Sequence, residues 1–215
     1  MKVVAIIPAF NEEKNIARVV DKAINEVDRV IVVDDGSKDK TFELASLDNT
    51  VIKHSYNIGC GASLRTGIEH ALRLKPDIII TLDGDGQHNP EEIPCLLEPI
   101  LNNNQHLVVG ARDFTKMSIT RRLSNILTKN MLERFFNVKM PDVQCGFRAI
   151  RADVFNVLKI EENGYPWASE MLIKANRLGL KMKSVEIETI NADKSSIKPL
   201  RDSIAFLKMM ISNDR

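Results

Sequence analysis

The sequence predicts an α/β fold with a mostly parallel central sheet flanked by helices, and three observations carry that prediction. Short β-branched runs alternate with stretches of helical spacing. Polar clusters follow directly on the apolar runs, where ligands bind to open α/β sheets. No Gly-, Ser- or Pro-rich linker divides the 215 residues, a length that suits one domain, 1–215.

The elements follow in order. Residues 3–7 form a continuous apolar run that reads as a strand buried on both faces, ended by Pro8. Asn11 is placed to cap a helix with Glu12 and Glu13 in its first turn, and Ile16, Val19, Val20, Ala23, Ile24 and Val27 keep helical spacing. Residues 30–33 read as a second buried strand, closed by Asp34-Asp35-Gly36-Ser37. A short strand over 51–53, a helix over 62–74 and a strand over 78–82 come next, the last closed by Asp83-Gly84-Asp85. Pro90 opens a helix, and 107–109 read as a strand.

Beyond residue 112 the pattern changes. Ile119, Leu123, Ile126, Leu127, Met131 and Leu132 predict an amphipathic helix within 119–136, with Arg121, Arg122, Lys129 and Arg134 on its other face. Residues 141–148 read as a loop or strand entry. Helices are expected over 152–158 and 169–178, a strand over 185–190 and a short helix over 199–211.

Composition narrows the function. A net charge of +1 argues against a general nucleic-acid binder, which needs a strong basic excess. Hydrophobic residues at 44% and charged residues at 27% make a folded chain rather than a disordered one. Cys60, Cys95 and Cys145 form no CxxC and read as reduced thiols of a cytoplasmic protein. The N-terminus lacks signal-peptide architecture, and no apolar stretch approaches the ~18 residues of a membrane span. The helices over 119–136 and 199–211 are candidates for peripheral contact with a membrane interface; ordinary core packing is the competing reading. A homodimer is compatible with the sequence, which specifies no interface.

Each polar cluster permits a chemistry. Asp83 and Asp85 sit one residue apart at a strand end, where their charges repel. A hard cation, Mg2+ or Mn2+, removes that conflict and bridges carboxylates to a substrate diphosphate. Gln87 offers a further oxygen, so Asp83, Asp85 and Gln87 are the expected metal ligands. An Asp-Gly turn is the bland alternative. Asp34 and Asp35 stand where a carboxylate can accept from a ribose hydroxyl or a base N–H. The Asn57–Ala62 stretch, with Gly59 and Gly61, precedes a helix carrying Arg65, and its small residues allow close approach of a nucleotide to Gly61 and Ala62. A plain helix-entry turn explains it equally well. Leu64 stands at the third glycine position of a dinucleotide fingerprint, and no P-loop Lys-Ser/Thr pair follows.

The ordered set resembles family 2 glycosyltransferases of the GT-A (Rossmann-like) fold, closest to the dolichol-phosphate mannosyltransferase type with polyprenyl-phosphate acceptors. The match runs from residues 7–13 through Asp34-Asp35-Gly36-Ser37, residues 57–62 and 83–88, Gly110-Ala111-Arg112 and residues 142–148. The resemblance implies that Pro8, Ala9, Asn11, Glu12 and Asp35 contact the nucleoside of a nucleotide-sugar donor. It implies that Asp83, Asp85 and Gln87 hold the metal and the donor diphosphate, and that Arg112 and Arg122 face the acceptor phosphate. Residues 1–112 would form the nucleotide-sugar half and 113–215 the acceptor-side half. Near the C-terminus, Ser195 matches the family's Gly-Lys-Ser-Lys-like stretch, whereas Ser196 stands where lysine is common, a departure that bears on closure over the diphosphate.

The expected reaction is inverting transfer from GDP-mannose, UDP-glucose or UDP-N-acetylglucosamine to a polyprenyl phosphate. The metal neutralises the leaving diphosphate. A phosphate nucleophile, with a second pKa of ~6, needs little base catalysis at neutral pH, so Arg112 and Arg122 act by positioning. A hydroxyl acceptor on a soluble glycan or small molecule needs a base, and Asp142 is the candidate. A nucleotide-sugar binder without catalysis is the reading from another class. A nucleotidyltransferase ranks low, because Pro8-Ala9-Phe10-Asn11-Glu12 carries no glycine-rich loop.

Overall fold

The computed structural model describes residues 1–46, 50–190 and 206. In chain order the elements are β1 (Val3–Ala9), α1 (Ile16–Ala23), β2 (Arg29–Asp34), α2 (Thr41–Ala45), β3 (Thr50–Lys53), α3 (Cys60–Arg73), β4 (Ile78–Thr81), α4 (Ile93–Asn103), β5 (Leu107–Ala111), α5 (Ile119–Phe136), β6 (Arg148–Arg151), α6 (Trp167–Arg177) and β7 (Met182–Glu186). Short 3-10 turns cover Pro90–Glu92, Phe114–Lys116 and Ala152–Asn156.

The strands make one seven-stranded sheet in the order β3-β2-β1-β4-β6-β5-β7. All neighbours are parallel except β6, which runs antiparallel to both β4 and β5. The expected mostly parallel sheet is therefore present. All seven residues of β1 are buried. Fully burying a Val or Ile contributes about 1.5–3 kcal/mol, against an ordering cost of about 1–2 kcal/mol per residue. The central strands thus hold the sheet together and leave its edge free to carry polar groups.

Several boundaries differ from the sequence-based expectation. Pro8 does not end β1 but sits inside it, opposite Val33. It is tolerated because the β1–β4 ladder stops at Ile6↔Thr81, so the side on which Pro8 lacks an N–H has no strand to receive one. Asn11 does not cap α1. Its φ of +56° makes it a left-handed turn residue, and the helix starts four residues after Glu12. The stretch over 152–158 is a 3-10 turn rather than an α-helix. The expected strand over 185–190 starts and ends earlier, as β7. The 191–198 stretch and most of the 199–211 helix lie outside the described residues, with only Phe206 recorded, partly buried against the core.

Of the two readings of 141–148, a loop or a strand entry, the structure takes the second: β6 begins at Arg148. Its antiparallel direction matters for function. Thr81 at the C-terminal end of β4 pairs with Arg148 at the start of β6, so the residues preceding β6 arrive at the same sheet edge as those following β4. Residues 142–147 are thereby delivered to Asp83.

Candidate active site

The site is built where β4, β1 and β2 end side by side. Asp35 N–H donates to Ala9 O at 2.8 Å, and Gly84 N–H donates to Pro8 O at 3.3 Å. The polar clusters after the three strands therefore converge on one edge, as their position in the sequence predicts. Pro8 and Ala9 are buried there as the last residues of β1.

Asp83 and Asp85 form its acidic centre. The Asp83 carboxylate accepts no hydrogen bond among the described residues, lies 3.8 Å from His88 Nδ1 and keeps 35% of its side chain exposed. Desolvation raises its pKa, opposed by the positive charges of Arg112, Arg121 and Arg148. Asp85 is raised as well, by desolvation first and by Asp83 second. Glu12 joins them: desolvation, aided by Asp85, Asp39 and Asp83 and opposed by an Asn15 hydrogen bond, pushes it up to about 7. All three carboxyl groups are pushed up first by burial, and Asp85 and Glu12 further by neighbouring carboxylates.

A divalent cation fits this centre on its donor chemistry, with one limit. Among the described residues no group of three or more His, Cys, Asp or Glu side chains is arranged to hold a metal ion. Two carboxylates suit an ion such as Mg2+ that is held by one or two carboxylates and completed by waters and substrate phosphates. Gln87, the expected third ligand, is already engaged. Its Nε2 donates to Asp85 Oδ2, its backbone N–H donates to Asp85 Oδ1 at 2.9 Å, and its Oε1 accepts from Arg121 Nη1. Gln87 links Asp85 to α5, and a cation would compete with the Arg121 guanidinium for its oxygen.

Arg121, which reads in the sequence as part of a solvated helix face, is thus the α5 arginine at the carboxylate cluster. Arg122, the expected one, is exposed and makes no hydrogen bond or ion pair to that cluster. One residue of helical phase, about 100°, separates the two.

Arg112 and Asp142 meet as a buried pair. Arg112 Nε donates to Asp142 Oδ2 at 2.7 Å and Nη2 donates to Oδ1 at 3.1 Å, the fork geometry arginine favours. Asp142 has no exposed side-chain surface, and its Oδ1 also accepts from Gln144 N–H at 3.1 Å. Both oxygens are committed, so Asp142 does not stand as the free base expected for a hydroxyl acceptor. Burial works against the Arg112 charge, but Cys145 and Asp142 hold its pKa above the ordinary value. Arg112 Nη1 makes no hydrogen bond among the described residues and is the part left for an anion.

Sequence reasoning passed over two neighbours. Arg148 is fully buried, its Nε and Nη2 donating to Cys145 O and Val143 O, its guanidinium carbon 4.9 Å from the centre of the Trp167 ring and its Nη1 without a hydrogen-bond partner among the described residues. Burial brings its pKa down to about 10, so it stays charged at neutral pH and adds to the positive surround of Asp83. His88 is buried against Phe147, ring centres 5.3 Å apart, and its Nδ1 accepts from Asp83 N–H at 3.2 Å. Burial holds this imidazole neutral, well below its ordinary pKa. Both close stretches that carry the family resemblance, 83–88 and 142–148, but residue type alone gives neither a role.

The nucleoside-side residues are less free than expected. Asp35 is buried, and its carboxylate accepts from Ile58 N–H at 3.0 Å and Gly59 N–H at 2.7 Å and pairs with His54 Nδ1 at 2.8 Å. It holds the 54–59 turn in place. Asn11 is exposed, with its Oδ1 accepting from Lys38 N–H and its own N–H donating to Ser37 Oγ.

Of the two readings of Gly61, Ala62 and Arg65, nucleotide approach or helix-entry turn, the intramolecular contacts fit the turn. The expected nucleotide approach at the start of α3 is filled by the chain itself. Gly61 and Ala62 N–H donate to Asn163 O at 2.7 and 3.2 Å. Arg65 donates to Glu161 O, Glu162 O and Asn163 Oδ1. A Cβ on Gly59 would lie 2.3 Å from Asn163 O, and one on Gly61 2.1 Å from Glu162 O. The glycines are small because residues 161–163 lie on them. That loop is held from the other side by Glu170, which accepts from Glu161 and Glu162 N–H at 3.0 Å.

Comparisons with known proteins agree with this geometry. A model of the family described as Glycosyl transferase family 2 matches residues 4–158. The chain is 33% identical to the UDP-N-acetylglucosamine--dolichyl-phosphate N-acetylglucosaminyltransferase of Methanococcus voltae, covering 94% of this chain and 90% of that protein. It is 27% identical to the undecaprenyl-phosphate mannosyltransferase of Micrococcus luteus, covering 90% and 85%. Its fold is similar to that of glucosyl-3-phosphoglycerate synthase from Mycobacterium tuberculosis, solved with Mn2+, UDP and glucosyl-3-phosphoglycerate. The TM-score is 0.78 at 22% identity, over 99% of this chain and 78% of that one.

Proposed function

We propose, for a chain that belongs to glycosyl transferase family 2 and is a glycosyltransferase, that it moves a sugar with inversion from a nucleotide-sugar to a polyprenyl phosphate. The observation that carries this reading is the charge pattern at the sheet edge. Asp83 and Asp85 lie at the end of β4, and Arg112, Arg121 and Arg148 surround them. An acidic pair suits a cation on the donor diphosphate, and the guanidinium groups suit a second, acceptor phosphate. Relatives named for dolichyl and undecaprenyl phosphate support that acceptor class.

Asp83 and Asp85 would hold Mg2+ or Mn2+, which supplies Lewis-acid stabilisation of the leaving nucleotide diphosphate. The remaining work belongs to the chain's own residues. Residues 1–112 bind the donor, with Pro8, Ala9, Asn11 and Glu12 lining the nucleoside side and Asp35 shaping the turn beside it. Residues 113–215 serve the acceptor. Arg112 presents Nη1 to the acceptor phosphate while Asp142 fixes its orientation, and Arg121 offers a second cation. An ionised phosphate oxygen needs no base, so a positioning role for Asp142 is sufficient. The exposed Ile119, Leu123 and Leu127, four residues apart on α5 and flanked by Arg122 and Lys129, would rest on the membrane surface that carries the lipid. No helix of the described residues is long and apolar enough to cross a membrane.

Equilibrium dialysis of labelled GDP and UDP tests the donor site. Retention of one nucleotide with Mg2+, lost on adding chelator and lost in Asp85→Ala, is the expected result. Equal retention with and without cation contradicts it.

A further inference from the structure

We infer that Gly146 is a positioning residue for the Asp83 carboxylate, an assignment that rests on the cation reading above. A Cβ built at Gly146 would lie 2.9 and 3.0 Å from the two Asp83 carboxyl oxygens and 3.2 Å from Asp83 Cγ, and these are its three nearest neighbours. The space in which a side chain at 146 would begin is thus occupied by the Asp83 carboxylate in its present orientation.

The backbone on the Gly146 side is fixed. Gly146 O accepts from the buried Thr81 Oγ1 at 2.7 Å. The next residue, Phe147, accepts through its carbonyl from Gly110 N–H at 2.9 Å, and Arg148 is locked in the sheet opposite Thr81. The carboxylate, by contrast, is held by no hydrogen bond among the described residues. Gly146 is absent from the positive-φ residues, so an L side chain meets no backbone strain there. With both facts together, a methyl group at 146 moves the Asp83 carboxylate and leaves the fold in place. The requirement for glycine is then a requirement of the cation site.

Cation selectivity distinguishes this role from a general structural one. Mg2+ demands near-ideal octahedral geometry, whereas Ca2+ accepts longer and more variable oxygen contacts. A displaced carboxylate penalises Mg2+ more than Ca2+. The experiment titrates Mn2+ into the full-length protein with saturating GDP or UDP, following free Mn2+ by electron paramagnetic resonance. Mg2+ and Ca2+ then compete for the site, in wild type, Gly146→Ala and Thr81→Val. Thr81→Val keeps the side-chain volume, releases the Gly146 carbonyl and decides the matter should Gly146→Ala not fold.

For Gly146→Ala we expect Mg2+ to bind about tenfold or more weakly, the range seen when support of a metal ligand is removed. Ca2+ should change far less, and the metal-free melting temperature should hold. Thr81→Val should shift the Mg2+-to-Ca2+ ratio in the same direction by a smaller factor. An unchanged ratio in both variants overturns the positioning role while the cation site stands. A wild-type protein that binds no Mn2+ with either nucleotide overturns the cation reading, and the role of Gly146 with it.

Discussion

At the scale of single residues, the site is a set of charges that the fold disfavours and then offsets. Asp83 and Asp85 are legible in the sequence as two carboxylates one residue apart at the end of a buried strand, where their charges repel. Arg121 is not legible, because the phase that turns it toward Gln87, and leaves Arg122 in solvent, is set by how α5 packs. Asp142 illustrates the same gap. The sequence permits a base, but burial and a bidentate guanidinium make it a partner. Asp142→Asn should leave the buried Arg112 charge uncompensated and destabilise the protein by about 3–5 kcal/mol, read by urea denaturation. Unchanged stability with lost transfer would restore the base. Glu12 gives a pH prediction. Its folded pKa is raised to about 7 from 4.5, so the folded state holds a proton that the unfolded chain releases. The folded state is unpenalised below the unfolded value, then loses stability as pH rises from about 4.5 to about 7, and the penalty stays constant above that. Melting temperatures of wild type and Glu12→Gln should therefore diverge across that window, with the wild type falling more steeply. Parallel curves contradict the assignment.

At the scale of elements, the glycine-rich turn before α3 shows why a motif can mislead. Gly59 and Gly61 look the same in sequence whether a nucleotide or the chain's own backbone approaches them, and here residues 161–163 do. The sequence shows that something comes close, and the long-range contact decides what. Arg65→Ala should consequently lower stability, by about 1–3 kcal/mol for the unsatisfied carbonyls it leaves, and change the donor KM little. A large rise in donor KM at unchanged stability would return Arg65 to the nucleotide. Periodicity places helix α5 correctly, yet Ile119, Leu123 and Leu127 are exposed rather than buried, while Leu132 is fully buried. A Leu123→Glu, Leu127→Glu double variant should keep its stability within about 0.5 kcal/mol per substitution, as at other surface positions. It should float less with anionic vesicles than the wild type. Equal flotation would free α5 from a membrane role.

At the scale of the whole molecule, the architecture explains how separated motifs become one site. Parallel β4, β1 and β2 bring their C-terminal ends to a common edge, which alternating strands and helices foretell. The antiparallel β6, wedged between β4 and β5, brings residues 142–147 to that edge from the other direction. The sequence marks a loop or strand entry over 141–148, but neither the direction of a four-residue strand opening on a buried arginine nor its neighbours can be read from it. In the proposed cation site Asp83 and Asp85 would be the only charged ligands from the described residues, so cation binding should be tight only when a nucleotide diphosphate completes the shell. Donor, cation and lipid phosphate are all read by one transfer assay. The protein is incubated with Mg2+ or Mn2+, a polyprenyl phosphate and labelled GDP-mannose, UDP-glucose or UDP-N-acetylglucosamine in parallel, and label is counted in the organic phase. Label should come from one donor and be abolished by chelator and by Asp83→Asn. Label that persists under chelator, or none from any donor while nucleotide still binds with the cation, would contradict the proposed reaction.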